Sequence, residues 1–503
     1  MTAAEEVKVP LSVGGKNGGA PPGPGSNNQR NHDKVSRMGT ASIPGLIIEF
    51  AIPAILGMLV NGAYNVIDSI FLGQALGEIG LSAATVAMPI MAVFMALSML
   101  IGGGGNALAA LRLGEGRRSD AEVSLGNTVF LSIAFAVVIA LCALNPVILD
   151  WLLTVSSATD DVRPYAQTFI QIISFGFIFQ CIGMGVNNFI RTAGAPNRAL
   201  STMLIGAVSC TILNYLFVIV FGMGVMGSAL ATVLGQALSC AAVLWYFIVT
   251  KNVPFKLHLQ CMRPRAKVIG LIVSLGMASF VVQAGMAVVN FVINHLLVQY
   301  GAASPIGADN ALASIGVVQR VAMFTVLPLI GVSIAIQPLL GFNYGAHLVD
   351  RVRKTLWYGI GGATIVGVIM WILIHVFPEA IVGVFGITQP GLMDFTVFAL
   401  KVQLFMLPFI GFQIVGSNYF QATGQPTKSI LLSLTRQILF LVPLLFLLPQ
   451  VLPLVFSQFN SLDALYFAAP ISDFMATFTT AVAIAFEMRR LKRLERGEVV
   501  SKF

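Results

Sequence analysis

Twelve stretches of this chain are apolar for more than twenty residues each, and that pattern leaves the backbone little choice. A bilayer core about 30 Å thick needs about 20 apolar residues to cross as a helix, and in lipid each peptide group must find its hydrogen bond within the chain. The stretches lie at 46–72, 83–105, 126–149, 165–189, 199–221, 226–249, 268–298, 311–340, 355–377, 395–420, 429–456 and 464–487. Only 10% of the residues are charged and 57% are hydrophobic, whereas a soluble domain carries about a quarter charged residues. The expected fold is therefore an all-α integral membrane protein of twelve transmembrane helices.

The chain also repeats itself. NNFIRTAGAPNRA (Asn187–Ala199) returns as SNYFQATGQPTKS (Ser417–Ser429), with Phe175/Phe405, Phe179/Phe409, Asn188/Asn418, Gly194/Gly424 and Pro196/Pro426 identical at an offset of 230. A second echo, LGEGRRSDA (Leu113–Ala121) against YGAHLVDRV (Tyr344–Val352), has an offset of 231. Twenty-five of the 29 Lys and Arg residues fall in the two tails and alternate loops, and the opposite loops hold only Arg163. The positive-inside rule then places both termini in the cytosol. Each repeat holds six helices and starts on the same face, so two six-helix lobes are expected, related by a pseudo-two-fold axis along the membrane normal. The expected division is a disordered cytosolic tail (1–40), an N-terminal lobe (41–250), a basic cytosolic linker (251–267), a C-terminal lobe (268–488) and a basic cytosolic tail (489–503).

The net charge of +8 sits in short loops and tails, with no basic domain to hold a phosphate backbone, so no nucleic-acid partner is expected. Five cysteines without a CxxC pair, and five histidines without metal spacing, suggest neither a disulfide framework nor a metal site. Gly102–Gly105 lies inside an apolar span, and Gly424–Ser429 has Thr427 where a Walker motif needs its second glycine. No cofactor and no enzyme chemistry are expected.

Ionisable groups within a bilayer are costly, so each is a functional candidate. Asp68 stands about 23 residues into the first helix, in its outer half, with Asn61, Tyr64 and Asn65 on the same helical face. Pro53 lies fifteen residues earlier and can kink the helix. The alternative for Asp68 is a structural pair with Lys401 or Arg320. Asn214 reaches a similar depth in the fifth helix, and Gln283, Asn290 and Asn294 form a stripe along the seventh. Helix packing through hydrogen bonds is the competing account of these amides. Arg320, Lys401 and Asp473 stand several residues in from the outer ends of their helices. For the two bases, cavity lining and internal ion pairing remain equally open. Arg436, nearer the cytosolic side, can snorkel.

Together YNVIDSIFLG (Tyr64–Gly73), RTAGAPNRA (Arg191–Ala199), GMGVMGSALATVLGQ (Gly222–Gln236), IQPLLGFNYGAHLVDRV (Ile336–Val352) and NYFQATGQPTKS (Asn418–Ser429) resemble the multidrug and toxic compound extrusion (MATE) transporters, most closely their MepA-like branch. The resemblance covers about residues 44–490. It implies alternating access and multidrug efflux across the cell membrane, as antiport of small amphipathic compounds against H⁺ or Na⁺. It aligns the family's first-helix aspartate with Asp68, its kink proline with Pro53 and its fifth-helix asparagine with Asn214. Departures stand at Val218, where many relatives place a second carboxylate, and at Gln283 and Lys401, where another branch has acidic residues. One carboxylate suits a proton better than a sodium ion, which wants several charged oxygen ligands, so coupling through Asp68 by H⁺ is expected. The protein is expected to work as a monomer. A flippase for lipid-linked or other anionic substrates, a sodium-coupled drug antiporter and a non-transporting channel are the alternatives.

Overall fold

The computed structural model describes residues 35–155, 162–250, 253–304, 306–385, 387, 389–456 and 460–496. The segments 1–34 and 497–503, which hold most of the expected N-terminal tail and about half of the expected C-terminal one, lie outside them. Among the described residues every regular element is helical. Twelve spans are long and apolar enough to cross a membrane: α1 Ile43–Asp68, α2 Val86–Gly114, α3 Arg118–Leu144, α4 Arg163–Thr192, α5 Pro196–Val220, α6 Gly224–Ile248, α7 Ala266–Ala302, α8 Asn310–Gly345, α9 Val349–Val376, α10 Gly391–Gln403 with Leu407–Ala422, α11 Pro426–Val455 and α12 Ser461–Arg493.

Two spans depart from the simple pattern. The sequence places a break between the first two helices, but the backbone stays helical throughout Ile43–Gly114. A Cβ on Gly39 or on Gly114 would touch Phe342, so the two ends of this segment meet and the chain doubles back between α1 and α2. The tenth span is bent by 42°. Pro408 has no N–H to bond the carbonyl of Leu404, and that carbonyl takes its bond from Leu407 N at 3.2 Å instead.

The repeated motif is a helix stop followed by a helix start. Gly194 (φ 78°) and Gly424 (φ 74°) adopt the left-handed conformation. Beyond each, a six-residue closure forms, Ala195 N to Ile190 O at 3.1 Å and Gln425 N to Phe420 O at 2.8 Å. These are Schellman caps, and Pro196 and Pro426 then open the next helices with the φ that proline already holds. The ends of α2 and α8 close in the same way at Gly116 (φ 76°) and His347 (φ 56°), which are 231 residues apart. An alanine at Gly194 or Gly424 meets a left-handed penalty of about 1–2 kcal/mol. Gly424→Ala is expected to lower the thermal unfolding midpoint in detergent, and an unchanged midpoint would refute this account of the motif.

All four caps lie at one end of the bundle, called here the basic end because Arg117, Arg118, Arg198, Lys428 and the described linker gather there. The linker is pinned to α3: Asn127 Nδ2 donates to the carbonyls of Cys261 (3.2 Å) and Arg263 (3.4 Å), and Asn127 Oδ1 accepts from Arg265 N at 2.9 Å.

The two halves meet through α1, α2, α7 and α8. A Cβ on Gly276 of α7 would lie 1.8 Å from the carbonyl oxygen of Leu100 on α2, and one on Gly331 of α8 would lie 2.8 Å from the Cα of Ile55 on α1. Leu100 and Gly331 are repeat equivalents at the 231 offset, so the first helix of each half crosses the second helix of the other. At the axis α2 meets α8 itself. A Cβ on Gly114 would strike the Phe342 carbonyl at 2.1 Å, and one on its equivalent Gly345 the Leu111 carbonyl at 2.2 Å. Asn106 and Gln337, also 231 apart, hydrogen-bond across the same seam at 3.1 Å. Accordingly Leu46, Ile47 and Phe50 of α1 belong to the apolar core of the C-terminal half. Ile272 and Leu275 of α7 join a core of the N-terminal half.

Candidate functional site

Asp68 ends the apolar run of α1 and reaches two other helices. Its Oδ1 accepts from Asn214 Nδ2 on α5 at 3.0 Å and from Ser228 Oγ on α6 at 2.8 Å. Asn214 is 1% exposed and directly precedes a π-helical turn, Tyr215–Val220. Such turns are frequent at functional sites. Among the described residues no base is paired with Asp68, so the structure does not make the alternative pairing with Lys401 or Arg320. Asn214 Oδ1 is buried with no partner among the described residues, an acceptor left over beside the carboxylate. Val218, one turn beyond Asn214, is buried and supplies no oxygen ligand.

Next to this cluster lies a cavity of about 260 Å³ between α1, α2, α4, α5 and α6, with Ile334 of α8 also in its lining. Asn61, Tyr64, Cys210, Thr232 and Gln236 line it toward Asp68, and six methionines (Met58, Met91, Met95, Met99, Met184 and Met203) supply much of its wall. Thioether side chains are flexible and polarizable, so such a wall adapts to differently shaped apolar bodies. Arg191 lines the end of the cavity near the basic end.

The other sequence-predicted residues separate into groups. Pro53 is buried within a continuous α1, and the side chain of Asn65 lies outside the described residues. Gln283 is half-buried, while Asn290 and Asn294 are exposed on α7. Asn290 Oδ1 accepts from Gln319 Nε2 of α8 at 3.3 Å. Beside Gln319, Arg320 is exposed about ten residues, or 15 Å, from the far end of α8. Together Asn290, Asn294 and Arg320 leave exposed polar groups on α7 and α8 toward that end. Lys401 is half-buried near the break in α10. Asp473 is not near Asp68: it is buried in the C-terminal half and accepts from Arg436 Nε at 2.8 Å. That pairing accounts for two of the intramembrane charges without a ligand. Glu487 is likewise satisfied, by Lys428 (2.8 Å), Arg490 (3.3 Å) and Gln425 (2.8 Å).

Sequence reasoning missed Ser228 and Arg191. Ser228 sits in a Gly-rich stretch where a lone hydroxyl carries no signal. Arg191 counts as a loop base by position, yet it is 1% exposed inside the lobe. One available signal was its repeat equivalent, the neutral Gln421, which bonds Ser279 Oγ at 3.1 Å.

Against known proteins, the MatE family profile matches residues 53–216 and 275–447. The multidrug export protein MepA of Staphylococcus haemolyticus (strain JCSC1435) is 23% identical over 460 residues, 92% of this chain and 97% of that protein. MepA of Staphylococcus aureus (strain MRSA252) is 22% identical over 402 residues, 80% of this chain and 86% of that protein. The structure superimposes on that of the MATE multidrug transporter DinF-BH with a TM-score of 0.80 and 33% identity, covering 90% of this chain and 97% of that one. It superimposes on an outward-facing MATE family transporter with a TM-score of 0.83 and 21% identity, covering 92% and 99%.

Proposed function

The chain belongs to the MatE family of multidrug efflux transporters, and on that premise we propose that it is a proton-driven antiporter exporting small amphipathic organic compounds, with Asp68 carrying the coupling ion. The family makes it a multi-pass membrane transporter and not an enzyme.

The observation that carries the proposal is the joint held by one carboxylate. Asp68 ties α1 to α5 and α6 through two hydrogen bonds, while the other end of α1 packs into the C-terminal half. A charged carboxylate accepts strong hydrogen bonds from the Asn214 amide and the Ser228 hydroxyl. Protonation weakens both, and α1 is then freer to move relative to α5 and α6. One helix thus links proton uptake to the seam between the halves, which is what alternating access requires. The cavity beside that joint, walled by methionine, suits the drug-like substrates that the relatives' names declare.

The glycine crossings hold the halves together toward the basic end, and the exposed polar groups of Asn290, Asn294 and Arg320 lie nearer the other. This arrangement supports a cleft open at the far end, with the basic end and both termini in the cytosol of a cell membrane. Both walls of the cleft come from one chain, so a monomer suffices.

Sodium is the second reading, favoured by the unpartnered Asn214 Oδ1. Against it, Asp68 would supply the only negative charge among the described residues of the cluster. Proteoliposomes loaded with a cationic dye and given either a pH gradient or a sodium gradient decide between them. Export under the pH gradient alone is expected. Export under sodium alone would replace the proton with sodium at the same site, and export under neither would overturn antiport.

A further inference from the structure

We propose that the cavity of the N-terminal half holds the anionic group of an amphipathic ligand, a carboxylate seated on Arg191, with the ligand's apolar body among the methionines. The inference deepens the exporter reading, on which it rests for the ligand's route. Three observations carry it. Arg191 is 1% exposed yet lines the cavity. A guanidinium has five N–H donors, but here Nη1 donates to Asn188 Oδ1 at 2.5 Å, Nη2 makes a weak contact with Met203 Sδ at 3.5 Å, and Nε has no partner among the described residues. No carboxylate among the described residues balances its charge.

Asp68 is too far to do so. Met203 touches Arg191 and Asn214 touches Asp68, and these two residues of α5 are eleven positions apart, about 16 Å along the helix axis. Arg191 lies in the last turn of α4, where the helix dipole offsets part of a positive charge, which explains why a cation is tolerated but not why its Nε is left without a partner in the cavity wall. In the second repeat the same position is Gln421, whose amide is engaged by Ser279, so the scaffold does not itself require an arginine. A planar guanidinium with an unpartnered Nε and a weakly held Nη2, beside a deformable apolar wall, matches a carboxylate on an apolar body.

The test is binding, read without transport, so its failure is distinct from failure of proton coupling. A cationic xanthene dye carrying an ethyl ester, and the same dye hydrolysed to its free carboxylate, are titrated by fluorescence anisotropy into the full chain in neutral-lipid nanodiscs. Arg191→Gln, which installs the residue of the second repeat, is expected to weaken the free-acid dye about tenfold or more and the ester by less than about threefold. Equal losses for both dyes would make Arg191 a structural cation, and no loss for the acid would remove it from the site. Repeating the titration in nanodiscs rich in anionic lipid separates substrate from headgroup. Persistence of the wild-type preference supports the substrate, and its disappearance gives the site to lipid and overturns the proposal. If the variant fails to fold, wild type decides alone: 1-naphthaleneacetate is expected to displace the acid dye and 1-naphthaleneacetamide is not, and equal displacement would refute the assignment.

Discussion

Asp68→Asn is expected to cut export driven by a pH gradient on the order of 100-fold, the low end of what a single proton-transferring group contributes, and to leave the fold intact. The side chain keeps its size, and an amide oxygen can still accept from Asn214 Nδ2 and Ser228 Oγ, which bond the carboxylate oxygen at 3.0 and 2.8 Å, though more weakly, as the protonated carboxyl does. The joint between α1, α5 and α6 therefore survives. What disappears is the carboxyl at that joint, and residual transport should no longer respond to pH. Dye efflux from proteoliposomes over a range of pH, with size-exclusion profiles as the control for folding, measures both effects. Wild-type export by this variant under a pH gradient would dismiss Asp68 as the coupling group.

The second large effect is expected at the crossing of α2 and α7. Even one added carbon on Gly276 meets the Leu100 carbonyl at 1.8 Å, and one on Gly104 meets the Ile272 carbonyl at 1.9 Å. Both obstacles are backbone, so no rotamer change relieves them and the helices must part. Small residues at membrane helix crossings permit this closeness. Gly276→Leu should destabilise the arrangement closed at the basic end by about 1–3 kcal/mol, a factor of about 5–150 between closed and open populations. Spin labels at Arg117 and Leu348, equivalent exposed positions on the two halves, report the outcome in a background without the five native cysteines. The distance between them should lengthen in Gly276→Leu, with slower export because the seam cannot reclose. An unchanged distance and rate would mean that the crossing does not hold the closed state.

Much of the architecture was legible before any coordinates. Helix number follows from apolar length, because lipid allows the backbone no other partners. The repeat is equally legible, since Gly194/Gly424 and Pro196/Pro426 encode a left-handed stop and a proline start that only those residue types supply cheaply. Asp68 stood out because charge in a bilayer is expensive wherever it occurs. Of the partners of that charge, Asn214 was marked by its depth and by the family resemblance, but Ser228 was not, and neither hydrogen bond could be read from the sequence. Asn214 lies 146 residues away and Ser228 160, on helices whose rotation about their own axes is set by packing.

Twelve helices, two equivalent halves, a carboxylate deep in the first helix and a basic end are thus properties of the sequence by itself, because each depends on local composition and spacing. Tertiary structure alone decided which charges are spoken for and which are free. Asp473 and Arg436 cancel each other inside the C-terminal half, and Glu487 is held by Lys428, Arg490 and Gln425. Arg191, a loop base to any reader of the sequence, is drawn into a methionine-walled cavity with donors to spare. The physical reason is that the free energy of a buried charge depends on what lies within about 4–6 Å of it in space, and for these residues that neighbourhood is assembled from helices far apart along the chain.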